Sequence, residues 1–167
     1  MLPQGRTAPF RSAIQVILCL CSILAVSGTG CGVEKNAASM DADKLQGTWQ
    51  LVYQQMNGTK LPDEKQAEMF HGKMTFAGDK IRYTVELPGF DFEFRYVLHP
   101  DHQPKEIDLE LTESPDKKSL GSKFYGIYVL ENSTLRICHN KLKRPTGFSA
   151  EEGSHNVLVV LKRDNVR

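Results

Sequence analysis

The side chains that could do chemistry in this chain are few and thinly spaced. His99-Pro100-Asp101-His102 places three potential metal ligands within four residues. In a turn, two histidines three apart lack the shared face a helix would give them, and no cysteine or third histidine is near in sequence. A solvated loop is the plainer reading. Cys138-His139 sets a thiol beside a base, yet neighbours on a strand point to opposite faces, so the thiol reads as a buried structural cysteine. Asp91/Glu93 and Asp108/Glu110 are carboxylates two apart. Glycosidase acids face one another across a cleft, whereas these share the polar face of a strand. The chain contains no Gly-x-Ser-x-Gly, no Gly-Lys-Ser/Thr phosphate loop and no His-Glu-x-x-His. Asn57-Gly58-Thr59 and Asn132-Ser133-Thr134 are formal sequons, but they stand where hairpin turns belong. The expectation is no catalytic residue, no metal and no cofactor. An enzyme is the minor reading, with Cys138, His99 and His102 behind it.

Charge excludes further classes. Lys plus Arg number 21 and Asp plus Glu 20 in 167 residues, a net charge of +1. That balance removes the electrostatic case for a nucleic-acid or anionic-membrane binder. With 40% hydrophobic and 25% charged residues the chain is not a disordered one, and its length suits one domain.

Residues 1–30 hold Arg6 and Arg11, no acid, and the apolar run Ala13 to Val26. A basic start, a 14-residue apolar stretch and small residues (Ser27 to Gly30) read as a secretory signal peptide. The run is short for a ~30 Å hydrocarbon core. Cys31 follows Gly30 directly and resembles the lipobox cysteine of bacterial lipoproteins, with Gly28 where leucine is preferred. The resemblance implies a lipid attached at Cys31; ordinary cleavage near Gly28 to Gly30 is the alternative. Cys19 and Cys21 leave with the signal, so a disulfide in the domain would need Cys31 and Cys138. The expected organisation is signal peptide 1–30, flexible tether 31–43 and one domain 44–167, exported and lipid-anchored at the cell envelope. A soluble secreted or periplasmic protein is the alternative.

From Leu45 onward the dominant period is two. Trp49, Leu51 and Tyr53 share one face of a strand, and so do Phe90, Phe92, Phe94, Tyr96 and Leu98. The alternation places Ile107 and Leu109 inside and Glu93, Arg95, Asp108 and Glu110 outside, the pattern of antiparallel sheet with one wet face. Asn57-Gly58, Gly78-Asp79, Pro88-Gly89, Ser114-Pro115-Asp116 and Glu131-Asn132 punctuate the runs. Eight strands are expected: 47–55, 72–77, 80–87, 90–99, 105–112, 122–130, 133–139 and 156–163. One short helix is expected at Pro62–Phe70, with proline in its first turn followed by Asp63 and Glu64. The fold class is all-β, a single antiparallel up-and-down barrel of about eight strands.

Gly47-Thr48-Trp49 opens the first strand and resembles the Gly-x-Trp signature of lipocalins. That resemblance implies that Trp49 plugs the closed end of a barrel with a basic side chain of the last strand across its indole. Lys162 and Arg163 point to opposite faces, so one of them can do this, and Arg163 is the expected one. Gly47, Trp49 and Arg163 are thus the expected closure residues. Leu45-Gln46-Gly47-Thr48-Trp49, Phe76-Ala77-Gly78-Asp79-Lys80-Ile81, Gly126-Ile127-Tyr128, Arg144-Pro145-Thr146-Gly147-Phe148-Ser149 and Val159-Val160-Leu161-Lys162-Arg163 together resemble a lipocalin-like domain family common in planctomycete bacteria. The resemblance covers about residues 41 to 163 and implies fold and address, without an activity.

Two functions follow from these expectations. In one, Tyr83, Phe90, Phe92, Phe94 and Tyr96 line a cavity for a small hydrophobic ligand. In the other, the barrel is filled and its loops (99–105, 113–121, 140–155) contact an envelope protein. Eight strands sit at the boundary between a filled and a hollow barrel, and a pocket of ≈ 300 Å³ or more lined by those aromatics separates the two.

Overall fold

Alternating faces close on themselves here because every inward side chain needs a partner across the sheet. The computed structural model describes residues 37–61, 72–85 and 90–164. The elements are α1 (Ala37–Leu45), β1 (Gly47–Met56), β2 (Thr59–Leu61), β3 (Lys73–Ala77), β4 (Lys80–Thr84), β5 (Phe92–His99), β6 (Glu106–Glu113), β7 (Lys123–Glu131), β8 (Thr134–Asn140) and β9 (Val157–Arg163). Each strand pairs antiparallel with its neighbour from β3 through β9. β1 closes the ring by pairing with β3 over Gly47–Gln50 and with β9 over Trp49–Met56. β2 hydrogen-bonds to the far half of β1, so the barrel itself has eight strands, without free edges.

The turns carry the backbone that the sequence asks of them. Asn57 and Gly58 both have positive φ (47° and 92°), the pairing a tight type I′ hairpin needs. At the β7–β8 hairpin Asn132 alone takes positive φ (53°). Both sequons therefore lie in tight turns. The helix expected at Pro62–Phe70 and the Pro88-Gly89 turn lie outside the described residues.

Three expectations are corrected. Residues 37–43, read as tether, belong to α1, whose Asp41 and Leu45 are buried; the rest of the 31–43 segment lies outside the described residues. Tyr53 does not share the inner face with Trp49 and Leu51. The β1–β9 register skips a residue between Leu51 and Tyr53, and this bulge re-aims the rest of the strand, turning Gln54 and Met56 inward. Glu93 stays on the outer face but is not solvated: it is 7% exposed. Lys80 Nζ at 2.7 Å and Arg82 Nη2 at 3.5 Å cover its carboxylate. The hydrogen bond from Lys80 holds that carboxyl below the usual range. Because Lys80 and Arg82 are themselves half-exposed, this is a clasp over a surface acid and not a core ion pair.

The interior is packed at the end where β1 begins. Trp49, Phe76, Ile107, Tyr128, Leu135 and Leu161 are each at most 2% exposed, and Phe76 meets Tyr96 edge to face at 5.6 Å.

Candidate functional site

The closed end is built from one glycine, one indole and one guanidinium. Gly47 has φ 106°, a conformation that strains any residue with a Cβ, and it turns the chain from α1 into β1. The next inward residue, Trp49, is fully buried, and its indole N–H donates to Leu45 O at 2.8 Å. Arg163, paired with Trp49 across β1–β9, lays its guanidinium over the indole at 4.2 Å from the ring centroid. The same group donates to Gln46 O at 2.9 Å and to Lys44 O, satisfying carbonyls at the α1 C-terminus that a helix end leaves free. Gly47, Trp49 and Arg163 meet as expected. Beside them Asp41 accepts from Lys105 Nζ at 2.6 Å and Tyr128 OH at 2.7 Å. Burial pushes the Asp41 pKa up, but those hydrogen bonds outweigh it and hold the carboxyl below its usual range.

The opposite end is hollow. A cavity of ≈ 300 Å³, open to solvent at one end, is lined by Tyr83, Phe92 and Phe94 together with Gln54, Met56, Met74, Leu109, Phe124, Ile137, His139, Val157 and Val159. These residues sit on the far halves of their strands from Trp49, where β1, β4 and β8 end and β5 and β9 begin. Tyr83 stacks on Phe92 at 6.3 Å and Phe94 meets Phe124 edge to face at 6.1 Å. The Tyr83 hydroxyl donates across the wall to Gln54 Oε1 at 3.4 Å. Two of the five expected lining aromatics lie elsewhere. Tyr96 is packed in the filled half, its hydroxyl donating to Gly78 O at 2.9 Å. Phe90 precedes β5 and is 53% exposed. It borders an adjoining depression with Leu111, Ser114 and Pro115, which shares Phe92 and Phe124 with the cavity; pairing with β4 begins only at Phe92.

Of the lining residues that sequence reasoning did not name, Phe124, Met74 and Gln54 among them, His139 is the one with a titratable imidazole. It stands on β8 opposite Gly126, with its ring edge to face with Phe124 at 5.4 Å. Its Nδ1 is buried and has no hydrogen-bond partner among the described residues. Burial alone lowers its pKa to about 4. Gly126 makes room for it: a Cβ there would lie 3.0 Å from Cys138 O and 3.1 Å from His139 Cβ. Its position two residues past Ile137 on an alternating strand was the available signal.

Cys138 points the other way. Its thiol is buried and free and donates to Ser149 O at 3.5 Å, under the loop 141–156. Burial pushes that thiol up to about 11, which disfavours the nucleophilic thiolate. The Arg144 guanidinium pins the same loop to the outer wall, donating to Gly126 O (2.5 Å) and Asp108 Oδ1 (2.6 Å). His99 and His102 stack at 6.0 Å, and each faces its own carboxylate, Asp108 at 3.1 Å and Glu106 at 2.9 Å. Cys31 lies outside the described residues.

No family model and no curated protein matches this chain. Among solved structures it is similar to one described as "REP1-NXSQ fatty acid transporter", with 10% sequence identity and a TM-score of 0.39, covering 75% of this chain and 99% of that one.

Proposed function

We propose that this protein is a non-catalytic, lipocalin-like binding module that carries a small, mainly apolar ligand in the open half of its barrel. The observation that supports it is the ≈ 300 Å³ cavity lined by Tyr83, Phe92, Phe94, Met74 and Phe124, at the lower bound of small-molecule sites. A filled barrel acting through its loops would not leave that volume empty. Native mass spectrometry of the protein from its own host, with Val159→Trp as a cavity-filled control, tests the reading. A co-purified small molecule lost in the variant supports it. A bare wild-type chain that also fails to bind the neutral dye N-phenyl-1-naphthylamine overturns it.

The same reading places the domain at the cell envelope, exported by residues 1–30 and held by a lipid on Cys31. Cys31→Ser should then release the protein from the membrane fraction, and the mature chain should begin at residue 31. Unchanged membrane association of the variant overturns the anchor.

A further inference from the structure

We propose that His139 is the polar anchor of the cavity and that its ligand is a neutral molecule with an apolar body and one hydroxyl-type head group, not a carboxylate. The inference rests on the cavity being a ligand site and names the class it takes. The wall offers a ligand very little polarity: the Gln54 amide, the Tyr83 hydroxyl and the His139 imidazole. The first two already meet each other, Tyr83 OH donating to Gln54 Oε1 at 3.4 Å. His139 is left with a buried Nδ1 that has no partner among the described residues. A buried polar atom without a partner is costly, so a ligand group that completes the bond binds with advantage. The terminal torsion of histidine is roughly two-fold, so a half-turn exchanges the places of Nδ1 and Cδ2 within the same ring plane.

The sign of the head group follows from what the wall lacks. None of the described lining residues is Lys, Arg, Asp or Glu. A carboxylate drawn inside would lose its hydration with no cation to replace it. Protonating His139 to supply that cation is itself opposed by burial, which keeps the ring neutral at pH 7. A neutral imidazole has one donor and one acceptor, the complement of an alcohol or phenol.

The test is displacement of N-phenyl-1-naphthylamine from the full domain by 1-decanol and by decanoate at pH 7.5, in wild type, His139→Phe and His139→Gln. Decanol should displace the dye at about a tenfold lower concentration than decanoate, a difference of about 1.4 kcal/mol. His139→Phe should weaken decanol about tenfold relative to decanoate, and His139→Gln, which keeps a donor and an acceptor, should restore most of the loss. Equal displacement by the two compounds, or equal weakening of both by His139→Phe, overturns the head-group assignment and leaves the binding module standing. Failure of the wild type to bind dye, decanol and decanoate alike overturns the module and the assignment together.

Discussion

Arg163 and His139 stand on the last two strands of one barrel, at its two ends. Arg163 lies over the Trp49 ring and donates to two backbone carbonyls. A guanidinium over an indole contributes about 0.5–2 kcal/mol, and Arg163→Ala also strips carbonyl partners from the end of α1. We expect Arg163→Ala to cost about 1–3 kcal/mol in urea unfolding and to shift the emission of Trp49. Trp49→Ala should cost about 3–5 kcal/mol through burial and cavity together. His139 faces Phe124, Val157 and Gly126, and the other titratable group of the cavity wall is the Tyr83 phenol, whose pKa burial raises. Unfolded, the pKa of His139 returns to about 6.5, above the value near 4 in the fold. Between those two pH values the unfolded chain holds the extra proton, so stability falls as pH falls through that window and the loss is complete below it. The loss is up to about 3 kcal/mol. His139→Phe should flatten the stability profile there, as urea midpoints from pH 7 to 4 will show. Asp41 works lower on the scale: its folded pKa is below the unfolded value, so its contribution is present above about pH 4 and lost as pH falls through the folded value.

At the scale of elements, α1 and the β1 bulge share a cause: local sequence is overruled by what lies across the barrel. Ala37–Leu45 is only nine residues long, and a free helix of that length is marginal in water. It is held by Leu45 in the core, by Asp41 between Lys105 and Tyr128, and by Arg163 at its C-terminus. Asp41→Ala would leave the Tyr128 hydroxyl and the Lys105 ammonium without their carboxylate and should cost about 1–3 kcal/mol. Met40→Ala, one residue away and exposed, should stay within about 0.5 kcal/mol. Hydrogen exchange offers a second check, because slow amides at 42–45 belong to a docked helix and fast ones to a tether. Three alanines and the Asp41/Leu45 spacing of four were legible as weak helix signals; the partners, 64 and 87 residues away from Asp41, were not.

Across the whole molecule the barrel is two half-interiors, one packed and one hollow, and similar side chains should weigh differently in each. Phe76 is 2% exposed among packed neighbours, so Phe76→Ala should cost about 3–5 kcal/mol. Phe94 is only partly buried and already borders the cavity, so Phe94→Ala adds less new void and should cost about half as much or less. Thermal unfolding of the two variants side by side measures the difference, and equal costs would mean that the cavity is filled by other side chains.

What the sequence determined by itself was what neighbours on one regular strand carry, which failed only where the β1 bulge shifts the register between Leu51 and Tyr53. Period-two alternation and turn residues set the eight barrel strands within a few residues, and the alternation put Cys138 and His139 on opposite faces. Closure of such a sheet brought the ends of β1 and β9 together, which is why Trp49 and Arg163 could be paired in advance. The tertiary structure alone decided which inward residues pack and which leave space. Tyr96 and Phe94 are two apart on the same face of β5, yet one lies in the packed half and the other borders the cavity. That depends on what the opposite wall contributes at each level: Phe76 packs against Tyr96, whereas Phe94 and Phe124 meet each other at the border of the cavity. Pairwise alternation contains no such term, because the volume enclosed by a ring is set by all eight strands at once.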